Sequence, residues 1–138
     1  MHATLLNLAI LGYIAATGLS LAYLVQREEW IHRVASVATI AGWLLHTVAL
    51  LAGAIEFGRP PLGSLPEAVS VAVWVVVLLA LWLERHWGLK VLGAFVLPVV
   101  LVFSLKSTAT GPGIEPALSG AWLWVHIGLV LIGIAAFV

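Results

Sequence analysis

The sequence predicts an all-α membrane protein, a polytopic bundle of about five transmembrane helices whose N-terminus lies outside the cell. Of its 138 residues, 63% are hydrophobic and 9% are charged, whereas about 25% of the residues of an ordinary soluble domain are charged. Five apolar stretches approach the length of about 20 residues that a helix needs to cross a bilayer. The polar segments between them are short and rich in charge or in Gly and Pro, as expected for turns.

The five predicted spans form a single transmembrane domain over residues 1–138. The first has no basic residue ahead of it and no polar cleavage region behind it, so we interpret it as a permanent helix and not as a signal peptide. The fourth contains Pro98, which predicts a kink. The last is still apolar at Val138, and we therefore expect the chain to be the N-terminal part of a longer fold. The spans cover residues 3–25, 34–56, 66–83, 90–106 and 120–138.

The orientation of the bundle is predicted from its basic residues, because Lys and Arg concentrate in cytoplasmic loops. The first and third polar breaks hold more of them than the second and fourth, which predicts that the first and third breaks are cytoplasmic. The fifth span then begins on the external side. The basic residues of the first and third breaks are Arg27, Arg33, Arg85 and Lys90, and those of the second and fourth are Arg59 and Lys106.

Composition also excludes several classes of function. The formal net charge is zero, and the chain has no basic run of the kind that binds phosphates, which argues against nucleic acid as a partner. Because it has no cysteine, it can use neither disulfides nor thiolate ligands. Any metal or redox chemistry must then depend on its five histidines and on oxygen ligands.

The second span carries a pattern of small residues that predicts a packing face. They recur at steps of three and four, so they share one side of a helix, and small residues allow membrane helices to approach closely. One imidazole lies in the same row, and we expect it to point into the bundle. The row consists of Ala35, Thr39, Gly42, His46, Ala49 and Gly53.

His46 and His126 are the two ionisable residues predicted at membrane depth, where such groups are costly and commonly functional. His46 lies near the middle of span two, and His126 lies about 9 Å into span five at 1.5 Å per residue. Each is compatible with a neutral imidazole bonded to a neighbouring helix, with a proton relay, or with a metal or haem site. Their positions alone leave these alternatives open.

Other candidate residues have an ordinary interpretation beside a functional one. Glu67 follows Pro66 at the start of span three, where a carboxylate stabilises a helix N-terminus. Arg59 and Lys106 are either interfacial anchors or cations that pair with acidic groups of a ligand. Trp122 and Trp124 lie near the start of span five, where indole rings favour the membrane interface.

Three segments in order resemble cytochrome c assembly proteins. They are residues 58–67 (GRPPLGSLPE) followed by Trp74, residues 92–98 (LGAFVLP), and residues 116–128 (PALSGAWLWVHIG). The resemblance is to the haem-handling cytochrome c synthase type and to its smaller HemX-like or YpjD-like relatives. It covers residues 40–138, and the ordered set of motifs is more specific than any motif alone.

The resemblance implies particular roles at a haem site. The family histidine that matches His126 is an axial ligand to haem iron at the external surface, and His46 matches a histidine in the second helix of HemX-like relatives. Trp122 and Trp124 would then supply aromatic walls. Arg59 or Lys106 would meet the propionates through charge-assisted hydrogen bonds, and Glu67 belongs to the first matching motif.

The chain also departs from that family. Its members have about twice as many residues, and the synthase branch carries a tryptophan-rich loop and a second external histidine that these 138 residues lack. The resemblance therefore implies haem delivery or retention at the outer face of the plasma membrane, and not an enzyme that completes haem attachment alone. The expected partners are the lipid bilayer, haem, and other membrane subunits or a C-terminal half.

Two functions of other classes remain as alternatives. A non-catalytic accessory or scaffold subunit of a larger membrane complex would explain the packing face on span two. A proton or solute transporter would use His46 and His126 as relay groups, although the acidic residues lie at the loops and not within the spans.

Overall fold

A computed structural model describes the backbone of residues 1–109 and the side chains of residues 1–107. This part of the chain consists of four helices and contains no strand. Three are long and apolar enough to cross a membrane, and the fourth is a shorter apolar helix, which confirms an all-helical membrane bundle. The predicted fifth span, 120–138, lies outside the described residues. The helices are α1 (His2–Gln26), α2 (Glu29–Phe57), α3 (Leu65–Trp87) and α4 (Leu92–Ala109).

The first three helices extend beyond the predicted spans at both ends, whereas α4 begins at Leu92 and not at residue 90. The first break was predicted over residues 26–33, but α2 already begins at Glu29. The third was predicted over residues 84–88, but α3 continues to Trp87. Charged residues limit how far a segment is apolar and do not themselves end a helix, because their side chains can reach water from a helical backbone.

Left-handed backbone conformations end the first three helices. Arg27, Gly58 and Gly88 follow α1, α2 and α3 with φ angles of 58°, 63° and 67°. Glycine is the residue that commonly takes this conformation after a helix, and two of the three positions have it. Arg27 is the exception, and its N–H bonds the carbonyl of Tyr23 at 2.9 Å.

The four helices form a ring in which each packs against two neighbours. α1 lies beside α2 and α4, and α3 lies beside the same two helices on the opposite side. The chain reverses direction at each turn, so the bundle has two ends. We call them the His2 end, which holds the start of α1 and the loop of residues 58–64, and the Lys90 end, which holds residues 27–28 and 88–91.

The predicted packing face of α2 is buried against α1. All six residues of the row are buried, which confirms the prediction. A Cβ atom built on Gly12 would lie 3.0 Å from the Cα of Gly42, and one on Gly42 would lie 3.0 Å from a ring carbon of Tyr13. The two backbones therefore approach so closely at this level that a Cβ atom would force its neighbours to shift by a few tenths of an ångström, which favours glycine.

Apolar side chains at the centre of the bundle join α1 to α3 and α4. The core cluster draws on α1, α3 and α4, and α4 remains helical through Pro98. The α1–α4 contact is also close, because a Cβ atom on Gly93 would lie 2.9 Å from Ser20 Oγ. The buried residues of the cluster are Tyr13, Ala16, Val73, Val77, Leu97 and Val100.

Two tryptophans connect α2 to α3. The rings of Trp43 and Trp74 stack with centroids 5.2 Å apart. Trp43 Nε1 donates to the carbonyl of Trp74 at 3.2 Å, and Trp74 Nε1 donates to Thr47 Oγ1 at 2.7 Å. Both indole N–H groups are thus satisfied inside the bundle, where water is scarce.

Ionic contacts connect the helices at the Lys90 end. Lys90 Nζ donates to both carboxylate oxygens of Glu29, at 2.7 and 2.9 Å, and this bond raises the pKa of Lys90. Glu84 accepts a hydrogen bond from Ser36 and lies 3.6 Å from His32 Nε2. The start of α2 is thereby joined to the end of α3 and to the turn before α4.

The close approach of α1 and α2 leads to a test with a control in the same helix. Gly12→Ala should lower the free energy of unfolding by about 1–3 kcal/mol, because an added methyl group in a packed contact forces the backbones apart. Gly18→Ala should be neutral or stabilising, since a Cβ atom there meets nothing within 4 Å and alanine favours helix by about 1 kcal/mol. Unfolding in mixed micelles, followed by circular dichroism, measures both. Equal stability of the two variants would contradict the packing.

Candidate functional site at the His2 end

His46 is enclosed among the described helices, with 1% of its surface exposed. Its Nδ1 atom lies 3.2 Å from the hydroxyl of Tyr13 on α1, and its Nε2 atom lies 2.9 Å from Ser70 Oγ on α3. The rings of Tyr13 and His46 meet edge to face, with centroids 6.0 Å apart. His46 therefore joins three helices through both of its ring nitrogens.

The hydrogen-bond roles follow from the donors available. A neutral imidazole has one N–H donor and one acceptor nitrogen. If Tyr13 donates to Nδ1, the proton of His46 lies on Nε2 and is donated to Ser70 Oγ, and all three groups are satisfied. In this arrangement neither nitrogen has a lone pair free for a metal, so iron could bind His46 only after a hydrogen bond to α1 or α3 had broken.

A cavity of about 230 Å³ lies between the helices at the His2 end. Ser70 forms part of its wall, so the hydrogen-bonded group around His46 reaches the cavity through this hydroxyl. α1 and α3 are diagonal in the ring and do not pack against each other, which leaves this space between them. Most of the wall is apolar, and its polar residues are His2, Asn7, Ser64, Glu67, Ser70 and Ser107.

Arg59 and Glu67 form a bidentate ion pair at the mouth of the cavity. Arg59 donates from both terminal nitrogens to the two carboxylate oxygens, at 2.7 and 2.9 Å. The same carboxylate accepts the backbone N–H of Gly63 at 2.8 Å. The guanidinium covers Gly63, where a Cβ atom would lie only 1.8 Å from a terminal nitrogen. The loop before α3 thus folds around this pair.

The start of α3 is capped in the way that its sequence suggests. Ser64 is the N-cap, its Oγ accepts the N–H of Glu67 at 3.4 Å, and Pro66 lies in the first turn. The ordinary interpretation of Glu67 as a stabiliser of the helix N-terminus therefore agrees with the structure. Its carboxylate in addition fixes Arg59, which explains why both residues occur in one short motif.

The opposite rim of the mouth is held by the N-terminus of the chain. His2 Nδ1 lies 3.0 Å from Glu56 Oε2, and the terminal amino group lies 3.6 Å from the same oxygen. The ring of His2 also meets Phe57 edge to face, with centroids 5.1 Å apart. These contacts join the start of α1 to the end of α2.

The structure brings four of the predicted site residues to one end or near it. Arg59, Glu67 and the last-turn residue Lys106 lie at the His2 end, and His46 lies below the cavity, about 16 Å from the end of α2 at 1.5 Å per residue. His126, Trp122 and Trp124 lie outside the described residues. Their roles at a haem site stay predictions.

Sequence reasoning missed the two partners of His46. Tyr13 is one of several hydroxyl residues in its span, and Ser70 is a single hydroxyl in an apolar span, so neither one is marked out by its sequence context. The available signal was their depth: Tyr13 lies 11 residues after His2, and Ser70 lies 5 residues after Leu65, which puts each on the His2 side of its span. Their contact with His46 depends on helix rotation, which sequence spacing does not supply.

The described residues hold no cluster of ligands for a metal ion, and the cavity among them is small. Among them, no group of three or more His, Asp or Glu side chains could hold a metal. The cavity of about 230 Å³ is smaller than the pockets of about 300–1,000 Å³ that hold drug-sized ligands. A haem bound at this end would need walls from residues beyond 107.

Several curated relatives are cytochrome c biogenesis proteins. A cytochrome c biogenesis protein CcsA of a Synechococcus strain is 29% identical over 111 residues, which cover 75% of this chain and 36% of that protein. The Gloeobacter violaceus CcsA is 28% identical over 138 residues, 94% of this chain and 41% of that protein. Protein NrfI of Wolinella succinogenes is 27% identical over 117 residues, 77% of this chain and 13% of that protein.

The fold and the relatives together indicate the class of this protein. The described helices and the relatives define a multi-pass helical membrane protein. The chain is similar to an N-terminal portion of CcsA-like cytochrome c biogenesis proteins, and it spans only 36% of the first two relatives. No family model matches it. No solved structure matches it either.

The hydrogen bond between Tyr13 and His46 leads to a second test. Tyr13→Phe should lower the free energy of unfolding by about 1–3 kcal/mol, because it leaves a buried polar nitrogen without its partner. Tyr23→Phe is the matched control: Tyr23 is also buried, but the contact it makes with His32 is through its ring. Unfolding in mixed micelles measures both variants. If they lose the same stability, the hydroxyl of Tyr13 does not support His46.

Proposed function

We propose that this chain handles haem during cytochrome c assembly, holding or delivering it at the external face of the plasma membrane. The observation that supports this most directly is the similarity to several cytochrome c biogenesis proteins, which extends over 75% of the chain in the first relative. Because the chain spans about a third of those proteins, we also propose that it works with further membrane segments, from a longer chain or from partner subunits.

His126 is the proposed ligand to haem iron, with Trp122 and Trp124 beside the ring. An imidazole nitrogen is a common axial ligand of haem, and the ordered motifs of residues 58–67, 92–98 and 116–128 support the assignment. Haem supplies an iron centre and two carboxylates on one edge. The protein's task is then to ligate the iron, cover the apolar ring and neutralise the carboxylates.

Arg59 has the chemistry for the last of these tasks without leaving Glu67. A guanidinium carries five N–H donors in one plane, and the bidentate pair with Glu67 uses two of them. Arg59 also donates from a terminal nitrogen to the carbonyl of Pro60 at 3.4 Å. Because the side chain is 44% exposed, we propose that its remaining donors meet a propionate. Glu67 would then act as the group that orients Arg59, and Lys106 is a second cation at the same end.

His46 has a different role in this proposal. Both of its ring nitrogens are bonded to neighbouring helices, which supports a structural role in joining α1, α2 and α3 below the haem-facing end. A transmembrane proton relay through His46 is less well supported. Within the described residues, its hydrogen-bonded group reaches the cavity through Ser70 but ends at the fully buried Tyr13.

The rival is an accessory subunit that binds no haem, and the small size of the described cavity favours it. Haem titration of the purified full chain separates the two. We expect a Soret band that His126→Ala removes and that His86→Ala keeps, because His86 lies at the opposite end, stacked on Trp82. A full chain that shows no Soret band, or a band that survives His126→Ala, would overturn the proposal.

The proposed orientation can be tested separately, because the chain has no native cysteine. Pro61→Cys at the His2 end should react with a membrane-impermeant maleimide on intact cells, because the loop of residues 58–64 is proposed to be external. Leu89→Cys at the Lys90 end, where Leu89 is 41% exposed, should react only after permeabilisation. The reverse pattern would show that the His2 end is cytoplasmic and would remove haem handling from the external face.

A further inference from the structure

A groove of about 240 Å³ on the outside of the bundle lies between α3 and α4. It has no polar surface, and two of its residues, Val99 and Phe103, are large apolar side chains that are 54% and 47% exposed. The residues that line it come from the half of α3 nearer the His2 end and from the middle of α4. They are Val69, Ala72, Val73, Val76, Val99, Val100 and Phe103.

We propose that the groove is the docking site of this chain's own predicted fifth span, residues 120–138. This inference concerns helix packing and does not depend on haem binding. α4 ends at Ala109 at the His2 end, so a following helix that begins near Gly120 starts at the end where the groove lies. It runs antiparallel to α4 beside it.

The connecting segment is long enough for this packing. Residues 110–119 are ten in number, and an extended chain covers about 3.3–3.6 Å per residue, or at most about 33–36 Å in all. Neighbouring helices pack with axes about 8–10 Å apart. The connection therefore reaches the groove beside α4 without strain.

The surface of the groove suits a helix better than a lipid tail. Its α3 wall consists of Val and Ala, whose side chains are small or stiff and lose little freedom when another helix packs on them. In a membrane, helices associate through such close packing and not through a hydrophobic force. A ridge of larger side chains from residues 120–138 would fill a groove of this kind.

α3 also has fewer buried residues than the other long helices. Its buried residues are Ser70, Val73 and Val77, whereas α1 and α2 have seven each. Its sequence is nevertheless apolar throughout the span. A fifth helix in the α3–α4 groove would be a third neighbour of α3 and would cover more of its apolar surface.

Disulfide cross-linking of the full chain in membranes tests this packing directly, because the protein has no native cysteine. Val99 precedes Ala109 by ten residues, so it lies about 15 Å from the His2 end at 1.5 Å per residue. Val130 follows Gly120 by ten residues and would lie at the same depth. Val99→Cys is therefore combined in turn with a cysteine substitution at each of residues 128–131, which cover one turn whatever the rotation of the fifth helix.

Leu11→Cys is the matched control, since Leu11 lies at a similar depth on α1 and is 60% exposed. We expect at least one Val99 pair to form an intramolecular disulfide within minutes of mild oxidation, at a yield at least tenfold above any Leu11 pair. Cross-links that form only between copies of the chain would overturn the proposal and assign the groove to a second copy. Cross-links from Leu11 alone would also overturn it. So would the absence of any cross-link from Val99 at the four positions, which is the result expected if lipid fills the groove.

Discussion

The contact between α1 and α2 is the constraint on which the rest of the bundle depends. Gly12 and Gly42 have no side chains, so the two backbones meet at a distance where an added Cβ atom would lie only 3.0 Å from its neighbour. This approach brings Tyr13 to His46, and Tyr13 is also part of the core that joins α3 and α4. Because His46 extends to Ser70 on α3, one close helix pair determines how three helices are positioned.

The two ends of the bundle differ in construction, and the difference bears on function. At the Lys90 end, helices are joined by short turns and by ion pairs between them, such as Glu29 with Lys90. At the His2 end, contacts of Met1 and His2 with Glu56 join α1 to α2, but α1 and α3 stand apart around a cavity, and the ion pair of Arg59 and Glu67 lies within one loop and helix start. The His2 end therefore has an opening rimmed by charged groups.

Buried polar groups in lipid must find partners inside the protein, because the alternative is an unsatisfied group in hydrocarbon. His46 follows this rule through Tyr13 and Ser70, and the indole N–H groups of Trp43 and Trp74 follow it through a carbonyl and a threonine. An imidazole at membrane depth is thus explained by packing alone. For this reason the proposed haem role depends on His126 and on the similarity to the relatives. In this proposal His46 has the structural role of joining α1, α2 and α3.

The sequence by itself determined the helical membrane class, the packing face of α2 and the sharing of one end by Arg59, Glu67 and Lys106, because these follow from hydropathy, from the helical period and from the alternation of spans. It placed the turns less well, since charge marks where a span meets water and not where a backbone stops being helical. Only the tertiary structure decided that Arg59 pairs with Glu67 and that both nitrogens of His46 are bonded. These contacts depend on the rotation and separation of helices, which are set by packing between residues distant in the chain.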